Sequence, residues 1–395
     1  MKKKAPGFGT RAVSAGEGRD EPFHPSSSPI YQSSTFFFPD TREFQDVSEG
    51  KHEGFIYTRL GNPTVDAFEQ KVADLEGAES GVAFSSGMAA VSAVFLALLR
   101  PGDEVVSSSR IYGGSRSLFE NTLRGLNCTV RFFDPEGDLR QTLPSLLNAK
   151  TRLIFFETPS NPELSIVDIR LLAAIGRKHR VFTVIDNTFA TPYLQRPLSL
   201  GIDCVLHSAT KYFGGHGDAI GGVVAGPKDF CALLRRTSLL NIGGCLSPFN
   251  AWLFLRGMKT LHLRMDRHCD TAARIADFLQ DQKPVGSVCY PGLRSHPGHR
   301  IAKKQMDAFG GVVSFRLRSR AACRKFLDSL RLCRIGVSLG DAETLALSYA
   351  PMFHPRRSDA QCRKIGIDPL LVRISTGLED ADDIIRDIRD ALRQV

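Results

Sequence analysis

The sequence predicts an α/β fold in which helices cover both faces of a mostly parallel sheet, followed by a smaller C-terminal α+β domain. Short apolar runs of strand length alternate with segments of helical periodicity, and their spacing of roughly 20 to 30 residues is that of βαβ units. The chain has 395 residues, of which 42% are hydrophobic, so it is long enough to bury a large core.

The first periodic element is a helix that begins after residues 62–64. Its apolar residues recur at helical spacing and would share one face: Val65, Phe68, Val72 and Leu75. Gly77 is a suitable end for this helix. The residues before it are rich in Ser, Pro, Gly and charge, so they are not expected to form a domain alone.

The apolar runs that follow are predicted as strands: residues 81–84, 104–106, 130–133, 153–156, 181–185, 204–206 and 221–224. Parallel strands joined by crossover helices present their carboxyl ends at one edge of the sheet, where ligands of open α/β folds bind. Polar residues that directly follow these runs are therefore candidates for a common site.

A second region begins near residue 257. It has a helical pattern from Arg264 to Leu279, a strand pattern at residues 310–315 and an amphipathic helix from about Asp382. These patterns predict three regions: a segment at 1–61, a large domain at 62–256 and a C-terminal domain at 257–395.

Lys211 is the first candidate for chemistry. It follows the hydroxyl residues Ser208 and Thr210 after one apolar run, and Asp186 ends the preceding run. Pyridoxal phosphate (PLP) needs an amine that bonds to its aldehyde and an acid that keeps its ring nitrogen protonated, so this pair fits that cofactor. Taken alone, a lysine after a strand also fits a solvated charge.

Residues 86–88 are a second candidate because they lie between a predicted strand and the apolar helix 89–99. Backbone N–H groups at a helix N-terminus bind phosphate, and Gly87 would let the backbone approach closely. The same pattern is also compatible with a simple turn.

Several motifs occur in order from about Tyr31 to the C-terminus: residues 57–64, 86–88, 110–114, 157–162, 205–218, 338–340 and 373–380. Together they resemble the Cys/Met-metabolism family of PLP enzymes, which includes methionine γ-lyase, cystathionine γ-lyase, cystathionine γ-synthase and the homoserine-ester sulfhydrylases. The resemblance implies PLP as cofactor and PLP fold type I, the aspartate-aminotransferase-like fold.

The resemblance also implies a catalytic role for three residues. Lys211 would hold the cofactor and move protons, Asp186 would pair with the ring nitrogen, and Tyr112 would stack on the ring and transfer a proton to or from the leaving group. Without the resemblance, Tyr112 would be interpreted as a core or interface tyrosine.

The remaining matched positions are implied to bind cofactor or substrate. The residues implied to contact the phosphate within one subunit are Ser86, Gly87, Met88, Ser208 and Thr210. Tyr57 and Arg59 would reach the phosphate of a neighbouring subunit, which implies a dimer with shared active sites and, in this family, usually a homotetramer. Asn161 would lie near the phenolic oxygen of PLP. Arg373 would hold the substrate carboxylate, with Ser338 at the same substrate site.

Specificity within the family depends on fewer residues. Where cystathionine-handling members carry charged residues, this chain has Ile56, Ser117 and Val337, which would leave the distal charges of cystathionine unpaired. A small thioether such as methionine fits better, so we predict γ-elimination that yields 2-oxobutyrate, ammonia and a thiol. Gly114 replaces the characteristic cysteine of methionine γ-lyase. Residues 241–252 look more like those of the sulfhydrylases.

The alternatives are therefore γ-replacement on an O-acylhomoserine, as in a sulfhydrylase or a cystathionine γ-synthase, and a cystathionine γ-lyase activity. A non-catalytic scaffold or a basic nucleic-acid binder is a further alternative. A purified protein that stays colourless and takes up no PLP would favour it.

Composition bears on partners and location. The net charge of +9 comes from dispersed basic residues with no nucleic-acid motif, so we expect it to attract anionic small molecules rather than nucleic acid. The sequence has no apolar run long enough for a membrane span and no signal-peptide core, so a cytoplasmic protein without membrane contact is expected. Nine cysteines with no Cys-x-x-Cys pair argue against a disulfide framework and against a zinc site.

Overall fold

The computed structural model describes residues 6–17, 23–364 and 366–395, and its strands form two sheets. The strands are β1 Ser80–Phe84, β2 Glu104–Ser108, β3 Thr129–Phe133, β4 Thr151–Glu157, β5 Phe182–Asp186, β6 Cys204–Ser208, β7 Gly222–Gly226, β8 Val285–Cys289, β9 Val312–Leu317, β10 Arg334–Ile335, β11 Leu345–Leu347 and β12 Leu371–Ser375.

Helices separate most of these strands. The α-helices are α1 Phe8–Ser14, α2 Thr41–Ser48, α3 Pro63–Glu76, α4 Gly87–Leu98, α5 Gly113–Ser117, α6 Leu139–Leu146, α7 Ile169–His179, α8 Thr191–Leu194, α9 Lys228–Leu234, α10 Pro248–Met258, α11 Leu261–Gln280, α12 His299–Gln305, α13 Arg320–Ser329, α14 Tyr349–Phe353, α15 Asp359–Lys364 and α16 Ala381–Leu392. Short π-helical turns extend α5 and α9 at Leu118–Leu123 and Arg235–Leu239, and a 3₁₀ turn spans Pro197–Leu200.

The larger sheet has the strand order β1-β7-β6-β5-β4-β2-β3. Strands β6, β5, β4, β2 and β3 run parallel to one another, whereas β7 is antiparallel to both β1 and β6. The predicted mostly parallel sheet is therefore confirmed. The carboxyl ends of β4, β5 and β6 lie side by side, which places the residues at their ends on one edge.

Helix α3 shows how local sequence sets an element. The Asn62 side chain accepts a hydrogen bond from the Thr64 N–H at 3.0 Å, and Pro63 occupies the first turn, where its missing N–H costs nothing. Gly77 ends the helix with a left-handed φ of 73°. The predicted apolar face, including Phe68 and Leu75, is buried.

The larger sheet is buried on both faces. One face packs against α4 and the other against α6 and α7, as the α/β prediction requires. The side chains on the α4 face include Val82, Phe84, Phe95 and Phe155, and those on the opposite face include Val106, Ile154, Ile185 and Val205. Burial of one such side chain contributes roughly 1.5–3 kcal/mol, so this double layer fixes the sheet edge that carries the site.

The smaller sheet has the order β10-β11-β12-β9-β8 and is antiparallel except for the β10–β11 pair. It packs with α11, α13 and α16 around its own core, which matches the predicted smaller α+β unit. Helix α10 runs through the predicted boundary at residues 256 and 257. The segment 1–61 contains α1 and α2, and its residues 1–5 and 18–22 lie outside the described part.

No helix within the described residues is both long enough and apolar enough to span a bilayer.

Candidate active site

Two carboxyl groups meet at the carboxyl edge of the larger sheet. Glu157 ends β4 and Asp186 ends β5, and the two residues are direct partners in the strand register. Asp186 is in turn the register partner of Leu206 on β6, two residues before Ser208. Strand register thus places an acid next to the segment that carries Lys211.

Asp186 is held by its own turn. Thr188 donates both its backbone N–H, at 3.0 Å, and its hydroxyl, at 2.5 Å, to Asp186 Oδ1. The Thr188 hydroxyl oxygen also accepts the N–H of Ser208 at 2.8 Å, so this turn links β5 to β6. Burial raises the pKa of Asp186, and the Thr188 hydrogen bonds and His207 oppose that rise. A cationic ring nitrogen against the carboxylate would favour its charged form further.

Lys211 reaches across to the smaller domain. Its Nζ donates to Ser338 Oγ at 2.7 Å. Burial lowers the pKa of the Lys211 amine, and the nearby Arg373 lowers it further, while Asp341 opposes them. Ser338 has a left-handed φ of 86°, which a non-glycine residue adopts only where its surroundings hold it. The hydrogen bond to Ser338 therefore places the Lys211 amine between the larger and the smaller sheet.

Arg373 lies on β12 and is 3% exposed. Its Nη1 donates to Asn161 Oδ1 at 2.8 Å, and its Nη2 donates to the Ser338 carbonyl. Tyr349 lies on the other side of Asn161, whose Nδ2 donates to the Tyr349 hydroxyl at 3.3 Å. Within the described residues, the buried Nε of Arg373 has no hydrogen-bond partner. Asn161 and Ser338 therefore hold the guanidinium plane while one donor remains for a ligand.

The start of α4 forms the predicted anion cradle. Ser86 is its N-cap, and Ser86 Oγ accepts the Ala89 N–H at 3.0 Å. The N–H groups of Gly87 and Met88, in the first turn, point out of the helix end and suit a phosphate. A Cβ on Gly87 would lie 2.8 Å from Ser208 Cβ, so glycine is required for this close approach of helix and strand.

Strand β7 and the end of β6 close the same region. A Cβ on Gly222 would lie 2.2 Å from the Ser86 carbonyl oxygen, so β7 passes directly beneath the start of α4. Thr210 exchanges hydrogen bonds with the Gly221 backbone, its Oγ1 accepting at 3.1 Å and donating at 3.2 Å. Ser208 thus lies beside the cradle, and Thr210 is tied to the strand that supports it.

Tyr112 stands before α5 with its side chain 47% exposed. Its backbone N–H donates to Glu157 Oε1 at 2.6 Å. Burial raises the pKa of the Tyr112 hydroxyl, Tyr349 adds to this rise, and Arg373 opposes it. Tyr112 therefore keeps its proton at neutral pH.

Tyr57 and Arg59 lie elsewhere in this chain. The Arg59 guanidinium is 5.5 Å from the centre of the Tyr57 ring, and its Nη1 donates to the Leu240 carbonyl at 2.6 Å. Tyr57 is 41% exposed. The described contacts connect this pair to the loop after residue 239 and not to Lys211.

The residues at this edge fit PLP in three respects. Asp186 offers a fixed carboxylate for the ring nitrogen, α4 offers an anion cradle that glycines keep open, and Lys211 offers an amine. The unpartnered Nε of Arg373 adds a donor for a substrate carboxylate.

Glu157, Thr188 and Gly222 belong to the site but were not singled out from the sequence. Glu157 directly follows a predicted strand, as Asp186 does, so the sheet-edge argument could have found it. Thr188 stands two residues after Asp186, where a hydroxyl residue often forms a local turn. Nothing local marks Gly222, because its contact is with a helix start distant in sequence.

The chain is similar to a known protein family over almost its whole length. The family model described as Cys/Met metabolism PLP-dependent enzyme matches residues 9–393. L-methionine gamma-lyase from Pseudomonas putida is 42% identical over 392 residues, which cover 99% of this chain and 98% of that protein. Cystathionine beta-lyase from Lactococcus lactis subsp. cremoris is 41% identical over 385 residues, covering 98% of each chain.

Two solved structures share the fold over nearly the whole chain. metB from Corynebacterium glutamicum has a TM-score of 0.91 at 41% identity and covers 98% of both chains. A putative O-acetylhomoserine (thiol)-lyase from Campylobacter jejuni, which carries a pyridoxyl-lysine-monophosphate residue, has a TM-score of 0.93 at 32% identity. It covers 98% of this chain and 100% of that one.

Proposed function

Because this chain belongs to the Cys/Met-metabolism family of PLP-dependent enzymes, we propose that it catalyses γ-elimination on a sulfur amino acid such as L-methionine. The products are 2-oxobutyrate, ammonia and a thiol. The main support for the proposal is that Ser338 contacts both Lys211 and Arg373. Its hydroxyl accepts a hydrogen bond from the Lys211 amine, and its carbonyl accepts one from the Arg373 guanidinium, which can bind a carboxylate.

PLP, when bound, supplies an electron sink for negative charge at the substrate's Cα. The Lys211 amine then acts as the base that removes the Cα proton and afterwards a Cβ proton, whose loss lets the Cγ–S bond break. A lysine serves this purpose only when its pKa is lowered towards neutral, and both burial and Arg373 act in that direction. Ser338 holds the amine on the side of the site that faces Arg373.

Arg373 binds the substrate carboxylate. Its guanidinium is fixed by Asn161 and Ser338, so little rotamer freedom is lost when the carboxylate arrives. Burial also lowers the pKa of Arg373, and a carboxylate would compensate the buried charge.

Tyr112 acts as the acid for the leaving sulfur. A tyrosine hydroxyl is protonated at neutral pH with its ordinary pKa of about 10, and burial raises the pKa of Tyr112 further. A protonated hydroxyl over the site can give its proton to a departing thiolate, which makes that group a better leaving group.

Methionine is favoured over cystathionine as substrate. Ile56, Ser117 and Val337 offer no charge to the distal ammonium and carboxylate of cystathionine, and unpaired charges in a desolvated site are costly. Relatives named L-methionine gamma-lyase, at 42% and 41% identity, support the same choice.

The second candidate is γ-replacement, in which a thiol or sulfide adds after loss of an acyl group from an O-acylhomoserine. The observation that favours it is the fold similarity to the putative O-acetylhomoserine (thiol)-lyase. Gly114, which stands where methionine γ-lyase has its cysteine, points the same way.

Tyr57 and Arg59 act on the cofactor phosphate of a neighbouring subunit in this proposal. Tyr57 is exposed, and Arg59 lies half-buried beside Leu240, so both remain available to a partner. The working unit is then a dimer with shared sites, and two dimers form a homotetramer in the cytoplasm. The segment 1–61 supplies this contact, residues 62–256 bind the cofactor, and residues 257–395 complete the substrate site.

The test is release of 2-oxobutyrate from L-methionine by the purified, PLP-loaded protein, with and without an added thiol. The expected result is steady ketoacid release that the thiol does not redirect. Lys211→Ala should lower the rate by at least about a thousandfold. No ketoacid from methionine would overturn the substrate, and turnover at the wild-type rate in Lys211→Ala would overturn the role of the lysine.

A further inference from the structure

Glu157 is a buried acid to which the roles above assign nothing. It ends β4 at the carboxyl edge of the sheet and is 4% exposed. Its register partner is the half-buried Asp186, so two carboxyl groups lie next to each other at the end of the sheet. Among the described residues Glu157 forms no salt bridge, and a buried acid without a paired cation is unusual and calls for a function.

The contacts of Glu157 are with backbone donors. Its Oε1 accepts the Tyr112 N–H at 2.6 Å, across 45 residues of sequence. The Asn161 backbone also donates to its carboxyl group. Glu157 therefore connects the segment before α5, which presents Tyr112, with the turn that presents Asn161 to Arg373.

The charge state of Glu157 follows from its neighbours. Burial raises the pKa of Glu157 well above its usual range, and Asp186 on β5 raises it further, against the hydrogen bonds from Tyr112 and Asn161. Asp186 has the two hydrogen bonds from Thr188 and the field of His207 on β6 to favour its charged form. Two adjacent carboxyl groups, Glu157 buried and Asp186 half-buried, cannot both ionise cheaply, so the proton resides on Glu157.

We propose that Glu157 is a positioning residue that, as an uncharged carboxylic acid, fixes the backbone at Tyr112 and leaves Asp186 as the ionised member of the pair. Glu157 acts on the cofactor site indirectly, because its oxygen fixes the backbone segment that carries the Tyr112 ring. The inference rests on the proposed placement of Tyr112 over PLP but not on the identity of the substrate.

Two variants of similar size separate the hydrogen-bond acceptor of Glu157 from its charge. Glu157→Gln keeps an oxygen acceptor for the Tyr112 N–H, whereas Glu157→Met keeps the length and removes every acceptor. In absorbance titrations of the apoproteins with PLP, Glu157→Gln should keep the wild-type Kd within about threefold, and Glu157→Met should weaken it about tenfold. Equal weakening of PLP binding in both variants, or no weakening in Glu157→Met, would overturn the proposed role of Glu157 in fixing the Tyr112 backbone.

The charge assignment has its own readout. If Glu157 is uncharged, Glu157→Gln leaves unchanged the pH midpoint at which the visible absorbance of the bound cofactor titrates. A midpoint moved by about one pH unit or more would show that Glu157 is ionised beside Asp186 and would contradict the proposal. This readout needs only a folded Glu157→Gln protein, so it stands even if Glu157→Met does not fold.

Failure of the proposed function and failure of the Glu157 proposal would be seen in different measurements. Both readouts use cofactor binding in the absence of substrate. A wild-type protein that releases no 2-oxobutyrate from methionine would overturn the substrate while leaving the Glu157 results to be judged separately.

Discussion

Among single residues, Gly114 limits where the Tyr112 ring can lie. A Cβ there would lie 2.5 Å from Tyr112 Cε1 and 3.0 Å from Met88 Sδ. The Tyr112 ring is 47% exposed, so it can move aside at little cost in stability. A substitution at Gly114 should therefore change catalysis more than folding.

We expect Gly114→Ala to lower kcat about ten- to a hundredfold, because a displaced proton donor loses its alignment with the leaving sulfur. The neighbouring Gly113 is the matched control, since a Cβ there would meet nothing within 4 Å. Steady-state kinetics with methionine on both variants make the comparison. Wild-type kcat in Gly114→Ala would mean that the Tyr112 position is not critical.

Residues at strand ends were the most predictable from sequence. Asp186 was assigned from its place after an apolar run, and the structure puts it at the end of β5 beside the β6 edge that leads to Lys211. Gly222 could not be assigned, because what makes it necessary is the Ser86 carbonyl 2.2 Å from where its Cβ would be. Contacts between segments distant in sequence leave no local pattern.

At the scale of elements, α11 carries a buried titratable group. His268 is fully buried on this helix, with its ring 5.3 Å from that of Tyr212. Burial, aided by Arg264, lowers the pKa of His268 from 6.5 to about 4. The unfolded chain therefore binds a proton that the folded chain does not bind between these two values.

Stability should consequently fall as the pH is lowered from 6.5 towards 4, by up to about 3 kcal/mol from this residue. His268→Phe keeps an aromatic ring and removes the titration, so it should lose less stability over the same range. Urea unfolding at equal protein concentration and saturating PLP, from pH 7 to 4.5, measures the difference. Parallel curves for the two proteins would contradict the assignment.

The elements themselves followed closely from periodicity. The predicted strands of the larger sheet appear with their ends moved by one or two residues. The helix predicted at 89–99 begins at Gly87 because Ser86 caps it, and the helix predicted from Arg264 begins at Leu261. Strand direction was less accessible, since the apolar run of β7 does not reveal that it is antiparallel to β6.

For the whole molecule, the central question is whether one chain completes its own site. Within this chain, Arg59 contacts Leu240 and not the Lys211 junction. The family resemblance implies that Arg59 binds the cofactor phosphate of a neighbouring subunit. A dimer with shared sites makes a specific prediction about mixed subunits.

Hybrid dimers of an Arg59→Ala subunit and a Lys211→Ala subunit should regain activity, because one of their two sites has both residues intact. Purified hybrids carrying two different tags should reach about half of the wild-type activity per dimer. Hybrids of Lys211→Ala with Tyr112→Phe are the control and should stay inactive, since both residues serve their own subunit's site. Inactive Arg59/Lys211 hybrids would refute the shared site.

The proposed γ-elimination is tested most directly by comparing elimination and replacement in the same protein. We would measure kcat/KM for 2-oxobutyrate release from L-methionine and for homocysteine formation from O-acetyl-L-homoserine and sulfide, on one preparation of PLP-loaded protein. We expect the larger value of kcat/KM for methionine. Efficient homocysteine formation with little ketoacid from methionine would contradict it and make the protein a sulfhydrylase.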